Sequence, residues 1–139
     1  MKIPIDAPAR LQAQDITSSY AVQAPAGSGK TELLSLRFLH LLAICEKPEE
    51  VLAITFTRKA ANEMSNRILN TLDAAAKMQT KPNFGTKLEE ERFSAAIKVL
   101  KKDTQLGWGL LKSPTRLRIQ TIDSFCLYLA SRLPILSGF

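Results

Sequence analysis

Val22-Gln23-Ala24-Pro25-Ala26-Gly27-Ser28-Gly29-Lys30-Thr31 is the stretch whose reading decides the fold. A short strand-like run, Tyr20 to Gln23, precedes its loop, and a long apolar helical pattern, Glu32 to Ile44, follows it. Strand, small-residue loop ending in Gly-Lys-Thr, then helix is the order of a phosphate-binding loop, the P-loop arrangement. The residue types suit that chemistry. Gly27 and Gly29 let the backbone turn tightly and come close to an anion. Loop N–H groups and the helix N-terminus would face a phosphate. Lys30 would reach the β- and γ-phosphates, and the Thr31 hydroxyl would hold Mg²⁺. The strict pattern wants Gly where this chain has Ala24. The plain alternative is a glycine-rich turn before an ordinary helix.

Working outward, Met1 to Arg10 is Pro-rich and reads as extended, and Leu11 to Thr17 has room for one or two helical turns. Lys30 to about Cys45 reads as a helix with apolar residues on nearly every face, hence largely buried. Val51-Leu52-Ala53-Ile54-Thr55 is a continuous apolar run, as expected of a strand covered on both faces of a parallel sheet. A helix from about Arg58 to Ala76 follows, its stripe Ala60, Met64, Ile68, Leu72 and Ala75. Pro82, Asn83 and Gly85 mark a loop. Leu88 to Lys102 reads as a helix with Phe93, Ala96, Ile97 and Leu100 on one face. Leu117 to Gln120 reads as a strand and Asp123 to Arg132 as a helix, with Thr121 or Asp123 as cap.

This alternation predicts an α/β fold: a parallel sheet flanked by helices. Ligands of such sheets bind at the carboxyl ends of the strands. That rule puts the glycine-rich loop, Thr55-Phe56-Thr57 and Thr121-Ile122-Asp123 on one rim.

Composition narrows the function. The 139 residues carry 19 Lys+Arg against 13 Asp+Glu, a net charge of +6, which suits a polyanionic partner such as nucleic acid. Cys45 and Cys126 sit among apolar residues and read as buried thiols. They have no metal-ligand spacing, and His40 is the only histidine, so a nucleophilic triad has nothing to use. The N-terminus lacks the apolar core of a signal peptide, and no apolar run is long enough to span a membrane, so a cytoplasmic protein with no membrane partner is expected.

Three ordered blocks then become recognisable: Ala24 to Thr31, Ile54-Thr55-Phe56-Thr57-Arg58-Lys59-Ala60-Ala61-Asn62-Glu63-Met64, and Gln120-Thr121-Ile122-Asp123-Ser124-Phe125-Cys126. Together they resemble the N-terminal part of a UvrD/Rep-type superfamily 1 DNA helicase, nearest the AddA/RecB branch. The first block resembles motif I, the Walker A element, in its A-x-A-G-S-G-K-T form, which also has Ala at the first position. The second resembles motif Ia and the third motif Ib. The resemblance implies a P-loop NTPase (RecA-like) sheet, here incomplete, because the family's sheet also draws on strands encoded later. It places the domain core at about 16–76 and 115–134, with a helical insertion at about 77–114, and covers nearly all of 1–139.

The resemblance also implies roles. Ala24, Pro25, Ala26, Gly27, Ser28, Gly29, Lys30 and Thr31 would hold ATP, with Lys30 and Thr31 catalytic and Thr31 on Mg²⁺. Thr55, Phe56, Thr57, Arg58, Lys59, Thr121 and Ser124 would lie along single-stranded DNA. An exposed Phe56 would offer a base a stacking surface; otherwise it closes the core at the strand end. Asp123 stands where the family often has His, which favours a cap there. The family's adenine-reading Gln has no clear counterpart: counting back from Lys30 lands near Ala9 or Arg10, with Gln12 and Gln14 nearby. A Walker B block, Asp-Glu-x-Gln-Asp, is absent from these residues, as are an arginine finger and the second RecA-like domain. The resemblance therefore implies an N-terminal piece of an ATP-dependent 3′-to-5′ helicase serving DNA repair or recombination, without turnover alone. Its partners would be single-stranded DNA and the rest of the helicase chain, and a nuclease partner is one further component that the resemblance allows. The alternatives are a non-catalytic nucleotide- or DNA-binding remnant and a small P-loop nucleotide kinase.

Overall fold

The structure, a computed structural model, describes residues 7–25, 27, 29–78, 80 and 83–133. Its elements in chain order are α1 (Ala7–Ala13), α2 (Lys30–Leu42), β1 (Leu52–Thr55), α3 (Arg58–Lys77), α4 (Lys87–Leu106), β2 (Arg118–Thr121) and α5 (Ile122–Arg132). The architecture is α/β. Among the described residues the sheet has two strands, β1 and β2, paired parallel from Leu52↔Arg118 to Thr55↔Thr121.

The helix α3 organises the packing. It touches both strands, α4 and α2, while α4 also packs on α2. Its buried stripe is Ala61, Met64, Ile68, Leu72 and Ala75, at helical steps of three and four. Thus the expected stripe holds except at its first residue, where Ala61 replaces Ala60. From α2 come Leu36, Phe38, Leu39 and Leu42, and from α4 Ala95, Ala96 and Val99. The small residues of α4 set the seam, and Phe93, Ile97 and Leu100 flank it partly buried. Trp108 and Leu110, in the turn after α4, complete the same core.

Four features differ from the sequence expectations. The run Tyr20–Gln23 is not a strand: it has no ladder partner among the described residues, and Tyr20 and Val22 are exposed. Only Tyr20 and Val22 of the four are β-prone, and so short a run makes a strand only where a neighbour pairs with its backbone groups. Next, β1 is covered on one face, not two. Ala53 packs on the core side, while Leu52 and Ile54 are 37% and 44% exposed on the other. On that outer side, Arg118 Nη2 and Gln120 Nε2 are buried without hydrogen-bond partners among the described residues. Helix α1 begins at Ala7, inside the stretch read as extended. Finally, α5 buries no residue completely, and Cys126 is exposed rather than a buried thiol.

No helix among the described residues is long and apolar enough to cross a membrane.

Candidate functional site

Two strand-to-helix junctions stand side by side because β1 and β2 are parallel and end in register. At the first, Thr55 Oγ1 donates to the Thr57 carbonyl at 2.9 Å, folding the backbone around Phe56. Thr57 Oγ1 then accepts from Ala60 N at 3.1 Å and caps α3. Between these two threonines Phe56 is 92% exposed. That is the reverse of a core aromatic. Arg58 and Lys59 are exposed in the first turn of α3 beside it.

At the second junction Thr121 is buried and caps α5, its Oγ1 accepting from Ser124 N at 3.1 Å. The Thr121 and Ser124 hydroxyls lie 2.9 Å apart. Thr121 is therefore the cap, and Asp123 stays exposed in the first turn. A threonine hydroxyl engaged this way holds the junction in shape, and the exposed Ser124 is the group of the pair that solvent or a ligand reaches.

The glycine-rich loop leads into α2. Gly27 and Gly29 have φ of 77° and 85°, the left-handed region that favours glycine. Gly29 is the N-cap of α2. Lys30 Nζ donates to the Ala24 carbonyl at 2.6 Å, so the lysine folds back across the loop it ends. Pro25 and Thr31 are exposed and Ala24 half-buried. Ala26 and Ser28 lie outside the described residues. Glu32, in the first turn of α2, pairs with Arg92 of α4. The chain before the loop is held by Arg37 of α2, which donates to the carbonyls of Ala13, Asp15 and Ser18 at 2.7–2.8 Å. Its guanidinium also lies 5.5 Å from the Tyr20 ring centroid.

These contacts bring the β1 and β2 junctions together on one rim. The loop is fixed separately, through α2 and Arg37. Among the described residues no group of three or more His, Cys, Asp or Glu could hold a metal ion. His40, half-buried in α2, is pushed below its usual pKa by burial and then by Lys98, against a smaller opposing effect of Glu91. A neutral, packed imidazole fits its setting in that helix.

Sequence reasoning passes over one residue here. Arg10 of α1 lies directly over the loop: a methyl group placed on Gly29 would meet Arg10 Nη1 at 2.8 Å. Counting back from Lys30 points near Arg10, but in search of a glutamine.

The sequence profile of the UvrD/REP helicase N-terminal domain matches residues 7–134. The chain is 35% identical over 122 residues to an ATP-dependent helicase/nuclease protein of Thermoanaerobacter sp. (strain X514), covering 84% of this chain and 8% of that protein. It is 48% identical over 58 residues to the ATP-dependent DNA helicase Rep of Buchnera aphidicola subsp. Baizongia pistaciae, covering 41% of this chain and 9% of the relative. A DNA helicase II of Haemophilus influenzae is 45% identical over 62 residues, 44% of this chain and 8% of the relative. The chain thus spans less than a tenth of the length of these relatives. No solved structure matches it.

Proposed function

The chain belongs to the UvrD/REP helicase N-terminal domain family, and from that premise we propose that it is the ATP- and single-stranded-DNA-binding portion of an ATP-dependent 3′-to-5′ DNA helicase of repair or recombination. The observation that carries this reading is Phe56. A side chain of that size left 92% exposed beside a basic helix start has no use in packing. It has one as a stacking platform for an unpaired base, worth ~1–3 kcal/mol per base. Arg58 and Lys59 would meet phosphates, and Thr55, Thr57, Thr121 and Ser124 would shape the rim along which the strand runs.

The loop residues suit a nucleotide. The positive φ at Gly27 and Gly29 supports a cradle for phosphates made of backbone, from Ala24 to Thr31. Lys30 is held by the Ala24 carbonyl in this fold and can exchange it for a phosphate oxygen. Thr31 would give Mg²⁺ a single hydroxyl, leaving its other positions to phosphate and water. ATP, when bound, would supply the free energy of hydrolysis for movement along DNA.

The 139 residues contain no Asp-Glu-x-Gln-Asp block to activate water and no second motor domain. On this reading the chain binds both ligands and does not turn over alone. The remainder of a helicase chain would complete the machine. The kinase alternative gives the exposed Phe56 and the neighbouring Arg58 and Lys59 no role.

The test is direct. ATP binding by calorimetry should vanish in Lys30→Ala while the circular dichroism spectrum stays unchanged. Equal affinity in the two proteins would remove the nucleotide assignment. Hydrolysis of ATP by this chain, stimulated by single-stranded DNA, would refute the claim that other residues are needed.

A further inference from the structure

Arg10 adds a second cation to the loop that Lys30 ends. Its Nη1 lies close to Gly29: a Cβ built there would sit 2.8 Å from it, so a side chain at position 29 would push the guanidinium aside. Arg10 is also not carried on a loose arm. Its helix ends at Ala13, whose carbonyl accepts from Arg37 at 2.8 Å, and Arg37 goes on to hold Asp15 and Ser18. Helix α2 therefore fixes the position of α1, and with it the reach of Arg10 over the start of α2.

Positive groups gather at the start of α2. Lys30 Nζ lies on the Ala24 carbonyl, and the positive end of the α2 dipole lies at Gly29. The acid in the first turn, Glu32, is engaged by Arg92. A guanidinium reaching Gly29, at the positive end of the α2 dipole, is placed to meet an anion such as a polyphosphate. We propose that Arg10 is a phosphate-binding residue of the nucleotide site. Its planar fork takes phosphate oxygens beside Lys30 and makes the site prefer a triphosphate to a monophosphate. The proposal rests on the nucleotide reading above and adds a residue from outside the glycine-rich loop.

The experiment measures ATP and AMP affinity in the wild-type chain, Arg10→Ala, Arg10→Lys and Lys30→Ala, with circular dichroism as the check on folding. Arg10→Ala should weaken ATP binding roughly tenfold or more, the scale of one charge-assisted hydrogen bond. AMP binding should change far less, and Arg10→Lys should recover part of the loss. A merely structural Arg10 would move ATP and AMP together, and that result would overturn the proposal. So would unchanged ATP affinity in Arg10→Ala alongside a loss in Lys30→Ala. If Lys30→Ala also binds ATP unchanged, the nucleotide site itself is wrong, and the role of Arg10 falls with it.

Discussion

Thr55 and Thr121 face each other on the last rung of the parallel ladder, and each organises the turn that leaves its strand. Thr55 bonds forward to the Thr57 carbonyl, and Thr121 caps α5. The alignment puts an exposed aromatic and an exposed serine on neighbouring junctions of one rim. Replacing Thr121 with Val keeps the shape and removes the cap. The Ser124 N–H then loses its acceptor, a cost of about 1–2 kcal/mol. Urea unfolding should show the midpoint of Thr121→Val shifted down, and an unchanged midpoint would mean the cap contributes nothing.

Phe56 behaves oppositely. With 92% of its surface already in water, Phe56→Ala should leave stability within about 0.5 kcal/mol. Single-strand binding, followed by fluorescence anisotropy on a labelled oligonucleotide, should weaken by the ~1–3 kcal/mol of one stacked base. ATP affinity should stay the same. A variant that loses stability and keeps its DNA affinity would make Phe56 structural.

Glu49 and Arg116 predict a pH dependence. Arg116 Nε and Nη2 donate to the two Glu49 carboxylate oxygens at 2.6 and 3.2 Å. These bonds hold the Glu49 carboxyl below its ordinary value of 4.5, against a smaller upward push from burial. A folded pKa below the unfolded one gives stability above the unfolded value, and that stability is lost as pH falls through the folded one. Glu49→Gln removes the titration and leaves Arg116 Nη1 on the Trp108 carbonyl at 2.9 Å. The variant should be less stable than wild type at neutral pH, with the gap closing as pH falls below 4.5 and through the lowered folded-state pKa. A gap that stays constant with pH would show that the carboxylate charge is not what matters.

The elements whose apolar period is strong are legible in the sequence. Helix α3 reads correctly to within one residue because its stripe faces a single core. Thr121 is one of two caps the sequence offers, and only geometry decides against Asp123. The sheet is less legible. Apolar residues at both Leu52 and Ala53 imply two covered faces, but covering needs a partner that pattern alone cannot supply. Tyr20–Gln23 fails as a strand for the same reason. Phe56 cannot be assigned to core or surface from its neighbours, since an aromatic after a strand suits either. Arg10 is hidden differently. Its approach to Gly29 joins positions far apart in the chain and depends on Arg37, which no local pattern reveals.

The turn after α4 offers the last prediction. Helix α4 ends with Gly107 at φ 65°, and Gly109 has φ 68°. One carboxylate ties this reversal together: Asp103 Oδ1 accepts from Gly109 N at 2.8 Å and Oδ2 from Leu110 N at 3.0 Å. Leu110 is fully buried and Trp108 nearly so, with Trp108 Nε1 donating to the Glu46 carbonyl at 3.0 Å. The carboxylate thus sets two core side chains by fixing the backbone between and beside them. Asp103→Ala leaves both N–H groups without their acceptor and should cost about 2–4 kcal/mol, since each bond to a charged group is worth ~1.5–3 and the backbone can partly rehydrate. Asp103→Asn keeps one acceptor oxygen and should lose less. Trp108 is the only tryptophan, so its fluorescence during urea unfolding reports the site directly. Lys101→Ala, two residues away and exposed, serves as the control and should change little; a loss in Asp103→Ala no larger than in that control would mean the turn holds its shape without the carboxylate.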